Sequence, residues 1–106
     1  MKFSMQNMLE QAKKVQQEIE RIKTEVNQKL VTAESGGGLV QVTMTGGNEI
    51  IKMKISNEIV NPDDIEMLED LVVAAVNKAT HEAQQMVSAE MSKVSNMLPN
   101  LPGLQG

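Results

Sequence analysis

His81 and Glu82 open the spacing of a helical zinc motif, in which a second histidine four residues after the first completes the ligand pair. Position 85 is Gln, and His81 is the sole histidine of a chain without cysteine, so one imidazole and a carboxylate are too weak a set for zinc. The carboxylates Asp63, Asp64, Glu66, Glu69 and Asp70 could draw a divalent cation, but they crowd the first turns of a helix, where the positive end of the dipole accounts for them. Gly36, Gly37 and Gly38 would cradle phosphate only if their loop fed a helix N-terminus carrying a Lys and a hydroxyl; here they lead into a strand pattern and read as a turn. Nothing resembles a Ser-His-Asp arrangement, and every acidic residue falls on a solvated face rather than in a dry pocket. The expectation is a protein without enzyme activity, metal, cofactor or small-molecule substrate.

Attraction to phosphate is the chemistry that remains. Lys13, Lys14, Arg21 and Lys23 lie in one uninterrupted segment, and Lys93 stands near the other end of the chain. If Met5 and Ala12 mark heptad position a, Lys14 and Arg21 share position c, two helical turns or about 10 Å apart, with Lys13 beside them. The same segment supports a plainer reading: Glu10 with Lys14, Arg21 with Glu25 and Glu25 with Lys29 are i,i+4 pairs that would simply solubilise a helix.

These cations need a helix beneath them, and the pattern supplies one. Met5, Met8, Ala12, Val15, Ile19, Ile22 and Val26 are spaced alternately 3 and 4 apart, one narrow apolar seam, and no Gly or Pro interrupts residues 1–35. A helix is predicted from about Ser4 to about Lys29, packed on another helix or on its own symmetry mate. The period then changes to two. Leu30 to Glu34 reads as a short strand, Ser35 to Gly38 as a turn, and Val40, Val42 and Met44 as one face of a second strand. Gly46-Gly47-Asn48 reads as a hairpin turn whose residues tolerate positive φ. A third strand follows, with Ile51, Met53 and Ile55 on one face and Lys52 and Lys54 on the other. Asn61-Pro62-Asp63-Asp64 reads as a helix start with Asn as cap. Ile65, Leu68, Val72, Ala75, Ala79, Ala83 and Met86 carry that helix toward Ser95, whole or broken once between Ser88 and Ser95. The inward strand residues, Ile51, Met53 and Ile55 included, are expected to bury Leu68, Leu71, Val72 and Ala75. Residues 99–106, with two prolines, read as a mobile tail beyond a single domain at 1–98.

Composition bounds the rest. The chain has 106 residues, 41% of them hydrophobic, nine Met and Phe3 as the one aromatic, so single-stranded binding by base stacking is disfavoured. No apolar run approaches the ~18–20 residues of a membrane span, and the N-terminus turns polar too soon for a signal peptide, so a soluble intracellular protein is expected. The net charge of -4 conceals an asymmetry: +2 over residues 1–30 against -5 over residues 61–106.

Together these residues resemble a known family. The heptad-like helix, then Glu34-Ser35-Gly36-Gly37-Gly38-Leu39-Val40-Gln41-Val42-Thr43, the Gly46-Gly47 hairpin, Lys54-Ile55-Ser56 and the run Met67-Leu68-Glu69-Asp70-Leu71-Val72-Val73-Ala74-Ala75-Val76 are similar to the YbaB/EbfC family of bacterial nucleoid-associated proteins. The resemblance covers nearly the whole chain. It implies an α+β fold: a long N-terminal helix, a small three-stranded antiparallel sheet between helices, and a long C-terminal helix or helix pair. It also implies a cytoplasmic homodimer of tweezer-like outline that binds double-stranded DNA in the nucleoid with little sequence preference, contacting it through Lys13, Lys14, Arg21, Lys23 and Lys93. Independently, a narrow seam and a one-faced sheet leave apolar surface that two-fold pairing would cover. The rival expectation is a helical adaptor whose first helix docks a protein partner.

Overall fold

The structure, a computed structural model, describes residues 5–97. Helix α1 (Met5–Gln28) leads into strands β1 (Leu30–Ser35), β2 (Val40–Thr45) and β3 (Ile50–Ile55); a 3-10 turn at Asn57–Ile59 precedes helix α2 (Ile65–Met97). The strands form an antiparallel sheet of order β1-β2-β3. The architecture is the expected α+β fold, and α2 is one unbroken helix of 33 residues, about 50 Å long. The tail expected at 99–106 lies outside the described residues.

Local chemistry explains most joints. Gly36, Gly37 and Gly38 turn between β1 and β2 at φ of 61°, 70° and 96°, a conformation that a Cβ disfavours. In the second hairpin only Asn48 takes positive φ, at 63°. Gly46 is there for space instead: a Cβ on it would stand 2.1 Å from the backbone oxygen of Val26, so α1 can rest its last turns on the hairpin only over a bare backbone. The expected cap also moves. Asn61 closes a turn, accepting from the N–H of Asp63, and Asp64 caps α2 by accepting from the N–H of Met67 at 3.3 Å.

The core lies between α2 and one sheet face. Val40, Val42 and Met44 of β2 meet Ala75, Ala79 and Ala83, whose short side chains let helix and sheet approach closely, with Ala33 and Ile59 completing the cluster. The Ser35 hydroxyl donates to the Leu71 carbonyl at 2.6 Å, fixing α2 over the β1 end. One expectation fails here. Met53 and Ile55 pair with Val42 and Val40, yet they and Ile51 are exposed, not buried under α2. A helix ~10 Å wide covers about two strands ~4.8 Å apart; α2 covers β1 and β2, and β3 is left bare. A bulge at Thr43/Met44 leaves Ile50 and Ile51 together opposite Met44, which adds to the bare strip.

Candidate nucleic-acid interface

Past the sheet, α2 continues outward and α1 runs along it, joined by a second apolar cluster. Ile22 and Val26 are buried with Val94, flanked by Ile19, Met86, Val87 and Met91. The result is a two-helix arm on a small body, and the molecule measures 76 × 24 × 16 Å. The seam is legible along all of α1 but is filled only in its inner half. Met8 and Leu9 are 57% and 60% exposed, and no other described residue covers them.

The root of the arm carries an ion bridge that no local spacing rule could have identified. Lys29 Nζ reaches Glu90 Oε1 at 2.6 Å across 61 positions of sequence, and Lys93 Nζ approaches the same oxygen at 3.5 Å. The Lys29 hydrogen bond, with the charges of both lysines, holds the Glu90 carboxyl below its ordinary range. Lys29 therefore pairs with Glu90 rather than with Glu25.

The expected contact residues divide into two groups. All five are exposed. Arg21, however, is gripped on both sides along α1: it donates to Glu18 through Nε and Nη2 and to Glu25 through Nη1 at 2.6 Å. The hydrogen bond from Arg21 lowers the Glu18 carboxyl, and the same pairing raises the guanidinium. Lys93 is shared with Glu90. Lys13, Lys14 and Lys23, by contrast, make no ion pair among the described residues, and the expected Glu10–Lys14 pair is absent from the ion pairs found there. Helical geometry also separates them: Lys14 lies on the Arg21 flank, Lys23 on the opposite flank and Lys13 on the outer side. The arm therefore offers lysine charge around its circumference, not one flat basic face.

Among the described residues no group of His, Cys, Asp or Glu is arranged to hold a metal ion, and His81 is simply exposed on α2. No described helix is long and apolar enough to cross a membrane.

Comparison with known proteins agrees with this architecture. A nucleoid-associated protein of Acetivibrio thermocellus is 46% identical over 101 residues, 95% of this chain and 89% of that protein. A nucleoid-associated protein of Thermodesulfovibrio yellowstonii is 53% identical over 97 residues, 92% of this chain and 84% of that one. The crystal structure of the uncharacterized protein HP0035 from Helicobacter pylori superposes with a TM-score of 0.71 at 18% identity, covering 92% of this chain and all of that one, a match of fold. The model of the YbaB/EbfC DNA-binding family matches residues 1–98, and with relatives this similar over nearly their whole length the chain belongs to that family.

Proposed function

We propose that the protein is a homodimeric, nucleoid-associated binder of duplex DNA that holds the double helix mainly through phosphate contacts, with low sequence specificity and without chemistry on the nucleic acid. The observation that carries this reading is the long arm on which Lys13, Lys14 and Lys23 stand exposed without carboxylate partners among the described residues. Lysine ammonium groups on a helix can reach phosphate oxygens without reading bases. Arg21 and Lys93 contribute less, because a phosphate must displace the carboxylates already on them. The chain's net charge of -4 makes the attraction local and strongly salt-dependent.

The uncovered third strand of the sheet supports the dimer. Ile50, Ile51, Met53 and Ile55 form an exposed apolar strip, and Val73 of α2 is 57% exposed, on the same side as Thr80, whose hydroxyl reaches the sulfur of Met44 on β2. The missing cover for β3 is another amphipathic helix beside α2, and the α2 of a second copy has the matching side, so a two-fold axis makes the contact reciprocal. A standard interface takes about 800 Å² from each partner, and a contiguous exposed apolar strip of this kind marks an interaction surface. A dimer carries two arms, which lets it bend one duplex or bridge two, and in this way shape the nucleoid and gene expression.

A gel-shift series on duplex DNA at rising salt, run beside light scattering, tests the reading. The expected result is a dimer whose log-affinity falls linearly with log salt. Absence of duplex binding even at low salt would return the protein to the adaptor reading.

A further inference from the structure

Subtracting the cations already compensated within the chain leaves a short set. Arg21, Lys29 and Lys93 each bond a carboxylate. Among the described residues the remaining cations are Lys13, Lys14 and Lys23 on the arm, Lys78 on α2, and Lys52 with Lys54 on β3. The β3 pair is set apart by its surroundings. Lys52 stands opposite Thr43 and Lys54 opposite Gln41, on the sheet face turned away from α2, where the alternation of β2 places its polar residues. Both lysines are exposed, and two residues of strand set them about 6.7 Å apart. Their cross-strand neighbours are neutral hydroxyl and amide groups. Thr43 in turn pairs with Thr32, their hydroxyl oxygens 3.2 Å apart. Glu34, the carboxylate in the same row as Lys54, is two strands away on β1.

We infer that this outer face of the sheet is a second phosphate-binding surface, in which Lys52 and Lys54 take backbone phosphates of the same duplex that the arm holds, with the Thr43 and Gln41 side chains as neighbouring hydrogen-bond donors. The inference rests on the DNA reading and adds a contact region to it. The face stays open in the dimer, because the apolar strip that needs covering lies on the opposite side of β3. It is also within reach. β3 starts beside the hairpin on which α1 rests; Lys14 lies about 21 Å along α1 from that root, and Lys52 and Lys54 stand about 7 and 13 Å further up β3, so the span does not exceed the ~34 Å of one duplex turn.

Fluorescence anisotropy with a labelled duplex across a KCl series decides the matter, using wild type, Lys52→Gln/Lys54→Gln and Lys13→Gln/Lys14→Gln. The β3 variant is expected to bind several-fold more weakly at low salt and to lose about 1–2 from the log-log salt slope per protomer, in the manner of lost phosphate contacts. Wild-type affinity and slope in the β3 variant, with the arm variant impaired, would overturn the inference alone and leave Lys52 and Lys54 as charges that keep an edge strand from aggregating. A wild type that binds no duplex would overturn both readings. Should the β3 variant aggregate, lysine acylation of the wild type read by mass spectrometry replaces it: bound duplex is expected to protect Lys52 and Lys54 several-fold, and unchanged reactivity would contradict the proposal.

Discussion

At the residue scale, the most informative side chain is Glu90, because it ties α1 to α2 through Lys29. Its carboxyl titrates below the ordinary value of 4.5 in the folded protein. A depressed carboxyl pKa contributes stability that is fully present above the unfolded value and lost as pH falls through the folded one. Thermal unfolding should therefore show wild type more stable than Glu90→Gln at pH 7, with the gap closing once pH drops below about 4.5; a gap independent of pH would mean the bridge contributes nothing. The charged residues of α1 were legible from sequence, but their state was not. The Arg21–Glu25 pair follows from i,i+4 spacing, whereas the diversion of Lys29 to a glutamate 61 positions away depends on which helices meet.

At the scale of elements, alternation and spacing were enough to place both helices and all three strands, since each pattern is local: a seam of period 3.6 in α1, period two in β2, glycines at the first turn. What sequence does not contain is coverage. Met53 and Ile55 have the same alternation as Val42 and Val40, and only the width of α2 against the width of the sheet leaves one pair buried and the other exposed. The seam of α1 behaves likewise, with Ile22 and Val26 buried and Met8 exposed by the same heptad rule. Packing of the arm then rests on few residues. Ile22→Ala should cost about 2–4 kcal/mol in urea unfolding, whereas Met8→Ala should cost little, as an exposed position does; equal losses at the two sites would mean the outer seam is covered as well.

At the scale of the whole molecule, charge is unevenly spread: of the six lysines without an ion pair among the described residues, five stand on the arm and the outer sheet face and Lys78 on α2, while Asp63, Asp64, Glu66, Glu69 and Asp70 gather at the start of α2. In the proposed dimer, the apolar strip of β3 is the surface that a second copy covers. Met53→Glu places a charge in that strip, so light scattering should shift from dimer mass toward monomer while far-UV circular dichroism stays helical; an undiminished dimer would move the contact elsewhere, to the exposed α1 seam first of all. Loss of the dimer should also weaken duplex binding, because the second arm is lost with it.

The proposed mode of binding is recognition of backbone phosphates, not bases. Its most direct test is a competition titration at fixed salt among duplexes of equal length and unrelated sequence, repeated with single-stranded DNA of the same length. Duplex affinities are expected to fall within a few-fold of one another, with weaker binding to the single strand for want of aromatic stacking platforms. One duplex sequence bound on the order of 1,000-fold more tightly than the rest, as specific recognition gives, or a preference for the single strand, would contradict it.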